Sequence, residues 1–233
     1  MRLHRFYIKT PITDEQFDII DRELISQWRS VFRYNVGSQV VLFDGSGTNY
    51  LCMITSLRNL GATMEIVSKK PNKNMPKINL CLCIGIIKKD NFEWAVQKAT
   101  ELGVSQIIPV LCERSEKKNL NMERLEKIAI EASEQSDRGD VPKIYEILEL
   151  EKLLQKNMLP EQKIVLHPEG KYIGDFLSEN QFKDLTVFIG PEGGFSENEI
   201  KELALHNVPA ISLGSQILRA ETAVVAVSSL LLL

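Results

Sequence analysis

The residues best placed to do chemistry stand where apolar runs end. Val187-Phe-Ile-Gly-Pro-Glu-Gly-Gly-Phe195 carries a strand-like run into Gly190, Gly193 and Gly194, with the carboxylate of Glu192 among them. Glycines there let backbone groups approach a bound molecule closely, and α/β sheets bind ligands at such strand ends. The spacing matches neither a dinucleotide fingerprint nor a phosphate-cradling loop, so on spacing alone a tight turn and a ligand loop stand level. A second stretch, Ile211-Ser-Leu-Gly-Ser-Gln-Ile-Leu-Arg-Ala-Glu-Thr222, ends a strand at Gly214 and opens an apolar helix with Arg219, Glu221 and Thr222. Free N–H groups and the positive end of that helix favour a polar or anionic ligand, although Glu221 and Thr222 would also serve as plain caps. A third strand end, Leu166-His-Pro-Glu-Gly170, adds one more loop, and three such loops can form one pocket.

Such loops have to be held by regular elements. Strands are expected at Leu80–Ile87, Gln106–Leu111, Ile164–Leu166, Leu185–Ile189 and Ala210–Leu213, separated by amphipathic helices. That alternation is the pattern of an α/β domain with a mostly parallel sheet. Asp90 is expected to cap the first helix, with Phe92, Val96, Ala99 and Leu102 on its apolar face and Gly103 just past its end. Ser196-Glu-Asn-Glu199 reads as a capping box directly after the glycine-rich loop. Nearer the N-terminus, the runs VVLFDG, YLCMITSL and TMEIV between Val40 and Val67, joined by glycine turns with a hairpin at Asp44-Gly45, predict a small β-barrel or sheet. A helix is expected before it, capped at Thr13 and running through Phe17, Ile20 and Leu24. The segment KKPNKNMPK, Lys69 to Lys77, reads as an interdomain linker, which divides the chain into residues 1–70, a linker at 71–77 and residues 78–233.

Composition bounds the function. At 44% hydrophobic and 25% charged residues, the 233-residue chain is a folded globular protein rather than a disordered or fibrous one. The segment MRLHRFYIKT lacks the apolar region of a signal peptide, and no run reaches the ~20 apolar residues of a membrane span, so a cytoplasmic protein is expected. Thr222–Leu233, the longest apolar run, suits a buried helix. Cys52, Cys81, Cys83 and Cys112 with His4, His167 and His206 lack zinc-ligand spacing, and no metal is expected; Cys81 and Cys83 share a strand face and read as small buried apolar residues. The net charge of −3 hides an asymmetry. Residues 1–75 carry 10 Lys+Arg against 7 Asp+Glu, or 10 − 7 = +3, and residues 76–233 carry 18 against 24, or −6. A basic first domain suits the gripping of a polyanion.

Taken together, IGPEGGFSENEI and LGSQILRAETA resemble the two best-marked motifs of the SPOUT methyltransferase superfamily. DNFEWAVQKATELGVSQIIPV, CERSEKK and EASEQSDRGDVPKI, with HRFY near the start and LFDGSG in the β-region, are similar to stretches of the ribosomal RNA small subunit methyltransferase E family. The resemblance implies an α/β fold class in two parts: an N-terminal PUA-like β-barrel that helps bind RNA, and a C-terminal SPOUT α/β domain tied in a trefoil knot. It implies a homodimer that uses S-adenosyl-L-methionine (SAM) to methylate N3 of a uridine in 16S rRNA of the small ribosomal subunit. SAM would be held by Leu166, His167, Pro168, Gly170, Ile189, Gly190, Pro191, Glu192, Gly193, Gly194, Leu213, Gly214, Ile217, Leu218 and Thr222. RNA would be held by Arg2, Arg5, Arg33, Arg114 and Arg138, and Arg219, Glu221 and Glu192 are the candidate catalytic residues. Two positions depart from the family pattern in the RNA-binding part: Gln27-Trp28 stands where a His is usual, and Ser38 where an acidic residue often follows the glycine.

Overall fold

A computed structural model describes residues 3–156 and 158–233. The chain forms two compact units, one of Met1–Met75 with Ser133–Asp140, the other of Pro76–Ala132 with Val141–Leu233. The first comprises β1 (Arg5–Tyr7), β2 (Gln16–Ile19), α1 (Arg22–Ser30), β3 (Gln39–Phe43), β4 (Thr48–Leu57) and β5 (Ala62–Pro71). Its sheet runs β1-β3-β4-β5-β2, with β1 parallel to β3 and the other pairings antiparallel. Phe6, Trp28, Leu42, Ile54 and Met64 fill its core. The β3–β4 turn is fixed by Asp44, whose carboxylate accepts from Ile12 N at 2.9 Å and Ser46 N at 3.1 Å.

Three expectations for this region change. Residues 13–24 hold no single helix: Phe17 and Ile19 alternate inward on β2, and α1 starts only after Asp21, whose side chain caps Leu24 N. Phe17 and Ile19 stand two apart, the period of a strand, while Ile20 is left exposed, and pairing with β5 decides for the strand. The expected linker is partly ordered structure, since β5 runs to Pro71 and Asn72 is buried, donating to Asn49 Oδ1 and to Asp137 O. The unit is also not a continuous stretch of sequence. Arg5 reaches Arg138 O at 2.6 Å and Asp137 at 2.9 Å, and Tyr7 N donates to Glu134.

The second unit comprises β6 (Asn79–Gly85), α2 (Lys89–Leu102), β7 (Gln106–Leu111), α3 (Met122–Gln135), whose last turn belongs to the first unit, β8 (Lys143–Ile144), β9 (Leu148–Glu149), α4 (Leu150–Gln155), β10 (Lys163–Tyr172), α5 (Ile173–Glu179), β11 (Asp184–Ile189), α6 (Glu197–Leu205), β12 (Ala210–Ser212) and α7 (Ala220–Leu232). The sheet is parallel, in the order β12-β10-β11-β6-β7-β8, with β9 also on β7. Both faces are covered. On β6, Leu80, Leu82 and Ile84 enter one apolar cluster with α2, α3 and α7, while Cys81 and Cys83 enter another with α4 and α6. Each fully buried leucine or isoleucine contributes roughly 1.5–3 kcal/mol. Burial pushes the Cys83 and Cys112 thiols well up from their ordinary values, which keeps both neutral.

Gly103 ends α2 with φ +105°, and the Ser196–Glu199 capping box is present. Asp90 does not cap α2. The helix starts two residues earlier, with Lys88 at the N-cap and no side-chain bond there, so Asp90 sits in the first turn. No described helix is long and apolar enough to cross a membrane, and no described cluster of His, Cys, Asp or Glu has the geometry to hold a metal ion.

Candidate functional site

A cavity of about 500 Å³ opens at mid-strand in β10 and at the C-terminal ends of β11 and β12. Three segments wall it. The first leaves β10: pairing with β12 reaches Leu166↔Ile211 and resumes at Lys171↔Ile211, so residues 167–170 bulge out of the ladder. The expected strand end at Leu166 is therefore a bulge inside a longer strand. Leu166, His167 and Pro168 line the cavity, whereas Gly170 lies outside it. A Cβ on Gly170 would stand 2.4 Å from Ile211 N, so glycine is needed there for the backbone of β12 to pass.

The second wall is Ile189, Gly190, Pro191, Glu192, Gly193, Gly194 and Phe195 after β11. Gly194 N donates to Pro191 O at 2.8 Å and Gly194 has φ +67°, a tight turn that only glycine adopts without strain. The loop is tied on two sides. Arg114 Nη1 donates to Gly193 O at 2.9 Å and to Phe195 O at 3.2 Å. Glu199, buried at 7% exposure, accepts from Ser196 N at 2.7 Å and from Glu113 N at 2.9 Å, which joins the loop after β7 to the start of α6. Glu192 is exposed, and its Oε1 accepts from Lys88 N at 3.0 Å.

The third wall runs from Ile211 through Leu213, Gly214, Gln216, Ile217 and Leu218 to Arg219, Ala220 and Ala223. Arg219 is the N-cap of α7 and makes no side-chain cap bond, so the positive end of this 13-residue helix meets the cavity through backbone groups. Ile217 is 89% exposed. Glu221 and Thr222 do not line the cavity. Glu221 Oε2 is buried without a hydrogen-bond partner.

These walls show a cavity made largely of backbone, apolar side chains and two cations. The model of an RNA methyltransferase domain matches residues 73–232, and that of an RNA methyltransferase PUA domain matches residues 29–66. Ribosomal RNA small subunit methyltransferase E of Rickettsia conorii is 33% identical over 97% of this chain and 93% of its own. The chain belongs to the ribosomal RNA small subunit methyltransferase E family. A solved methyltransferase E of Neisseria gonorrhoeae, bound to SAM, is 28% identical, with a TM-score of 0.88 over 98% of this chain and 96% of that one. A methyltransferase of Legionella pneumophila in complex with SAM gives 28% identity and a TM-score of 0.89 over 99% of this chain and 97% of that one. The fold is thus mixed α/β, with a PUA-like unit and a methyltransferase unit.

The arginines expected to hold RNA part company. Arg5 and Arg138 are buried, at 8% and 2% exposure, and occupied internally, Arg138 by a two-point pair with Asp140 at 3.0 and 2.8 Å. This corrects their assignment: a guanidinium enclosed beside its carboxylate is a structural element of the first unit. Arg33 and Arg114 are exposed, and Arg2 lies outside the described residues. Arg114 is moreover a cavity-lining residue that holds the glycine loop. Phe195, Ile211, Ser212, Gln216, Ala220 and Ala223 line the cavity without having been singled out. The signal for the two alanines was their spacing of three, which puts both on one face of α7.

Proposed function

We propose that this chain transfers a methyl group from SAM to N3 of a uridine in the 16S rRNA of the small ribosomal subunit, acting in the cytoplasm as a homodimer. The observation that carries this reading is the cavity at the bulge of β10 and the ends of β11 and β12. Its volume lies in the range of small-molecule sites. Leu166, Ile189, Leu213, Leu218 and Ala223 offer apolar walls to an adenine ring, loop backbone offers groups for its polar edge, and Arg114 and the start of α7 suit a carboxylate. The residues present fit SAM. Bound there, the cofactor would supply an electrophilic methyl on a sulfonium.

What the protein must add is orientation and stabilisation of the charge that develops when uracil N3 loses its proton. Arg219, at the cavity wall and at the positive end of α7, is assigned that stabilising role. Glu192, with one oxygen engaged by Lys88 N, orders the loop after β6. N3 lies on the pairing edge of the base, so the target is unpaired before reaction at a cost of a few kcal/mol, and a second grip on the RNA offsets that cost. The PUA-like unit supplies the grip; closure of its five-stranded sheet into a barrel belongs to this reading. So does a trefoil knot in the second unit, supported by the convergence of three loops on one cavity. Exposed Ile217, Leu230 and Leu233 support a second copy of the chain as partner.

The test is to incubate purified protein with labelled SAM and small subunits lacking the modification, then digest the rRNA. 3-Methyluridine is the expected product. SAM binding without it would remove the substrate, and absence of SAM binding would remove the enzyme. Arg219→Lys is expected to retain SAM and lose about tenfold or more in turnover, the scale of one stabilising donor; unchanged turnover would remove Arg219 from the chemistry.

A further inference from the structure

We infer that Gln216 is a further catalytic residue of the cavity in the second unit: its carboxamide donates to a carbonyl oxygen beside N3 of the target uracil, on the flank that Arg219 leaves open. The inference rests on the methylation of uridine N3 proposed above.

Six polar side chains line the cavity: Arg114, His167, Glu192, Ser212, Gln216 and Arg219. Most are committed to the fold. Ser212 Oγ donates to Gly214 O at 3.1 Å and accepts from Gly214 N at 3.3 Å. Arg114 braces Gly193 O and Phe195 O, Glu192 accepts from Lys88 N, and His167 Nδ1 accepts from Glu169 N at 3.3 Å. Of the six, only the side chains of Gln216 and Arg219 make no hydrogen bond or ion pair among the described residues. Both stand on the loop between β12 and α7, separated by Ile217 and Leu218. A Cβ on Gly214 would lie 4.0 Å from Gln216 Oε1, so the carboxamide folds back toward Gly214 at the cavity wall. An exposed carboxamide is satisfied by water, so its freedom alone assigns no role. The reaction supplies one.

In methylation at N3 the N3–H proton leaves to water, the nitrogen lone pair forms the new N–C bond, and the methyl–sulfur bond breaks with its electron pair left on sulfur. While N3 is deprotonated, its negative charge is shared with O2 and O4, the carbonyl oxygens on either side. N3 itself must face the methyl. A planar guanidinium therefore cannot bridge O2 and O4 without standing in the methyl's path. Arg219 serves one oxygen, and the other needs a donor of its own. The amide NH₂ of Gln216 is the free donor on the same loop. Being neutral, it binds the uncharged base weakly and the developing anion more strongly, which is the difference that lowers a barrier.

Gln216→Ala in the full chain is expected to melt as wild type does and to bind SAM with unchanged affinity by calorimetry. Its single-turnover rate, at saturating SAM and small subunits lacking the modification, should fall about tenfold, the worth of one hydrogen bond. The pH at which that rate levels off should rise by about one unit, because N3 of the bound base gives up its proton less readily. The other titratable groups lining the cavity, Arg114, His167, Glu192 and Arg219, are the same in both proteins. Gln216→Lys, which only donates, should restore the rate and lower that pH, whereas Gln216→Glu, which only accepts, should be slower than Gln216→Ala. Wild-type rate and pH profile in Gln216→Ala would overturn the proposal. So would a tenfold loss of SAM affinity alongside the rate loss, which would make Gln216 a cofactor residue, and so would equal losses in the Lys and Glu variants, which would reduce it to a matter of loop shape. If wild-type protein forms no 3-methyluridine, the substrate reading fails and takes this inference with it, an outcome distinct from failure in the variants alone.

Discussion

Arg114 in the second unit and Arg5 in the first both donate to backbone carbonyls, in opposite surroundings. Arg114 is exposed and braces Gly193 O and Phe195 O with no carboxylate needed. Arg5 is buried, donates to Arg138 O and has Asp137 at 2.9 Å, while Arg138 beside it has Asp140. Water screens the first guanidinium, so it is free to shape a ligand loop. Burial obliges the others to be paired, which fixes them as structure. Four described arginines that the family resemblance treated alike thus divide by solvent access.

The largest effect that could break this division is on stability. Arg138→Ala should cost about 3 kcal/mol, because Asp140 is left partly buried without its partner. Urea unfolding measures it, and a loss under about 1 kcal/mol would place this pair with ordinary surface bridges. Arg114→Ala is expected to leave stability within about 1 kcal/mol of wild type while weakening SAM binding about fivefold, the worth of one loop-bracing hydrogen bond. Unchanged affinity by calorimetry would show that the Pro191–Gly194 turn holds itself.

The smallest effect concerns groups that burial treats alike in both units. Burial pushes the Cys52 thiol up to about 12 from an ordinary 9.0. Above pH 9 the unfolded chain therefore loses this proton first, and stability falls as pH rises toward about 12, where the native thiol also ionises. Melting temperature should drop more between pH 8 and pH 10 in wild type than in Cys52→Ala. Equal drops would assign the alkaline loss to other groups.

The legible parts of the molecule were those governed by local chemistry. Gln106–Leu111 is bounded as its apolar run suggests, and the Ser196 capping box needs only four residues to declare itself. The cavity was legible because close backbone approach leaves glycines in the sequence. The three- and four-residue strands β1 and β2 were not, since their short runs exist as strands only through pairing with β3 and β5. Nor was the fate of Arg5 and Arg138, which are 133 positions apart and reveal their burial only once brought together. Glu192 and Glu221 show the same limit at the site: sequence marks a carboxylate near a loop but not which donor it faces.

The contribution of Ser133–Asp140 to the first unit bears on how the protein is made. All five strands of that unit have been synthesised once Pro71 is in place, yet Asp137 and Arg138 follow only after β6, α2, β7 and α3. Domains generally fold as units in the order they leave the ribosome. Here the N-terminal unit must wait, holding Arg5 without its carboxylate, until a stretch of the following unit has emerged to complete it.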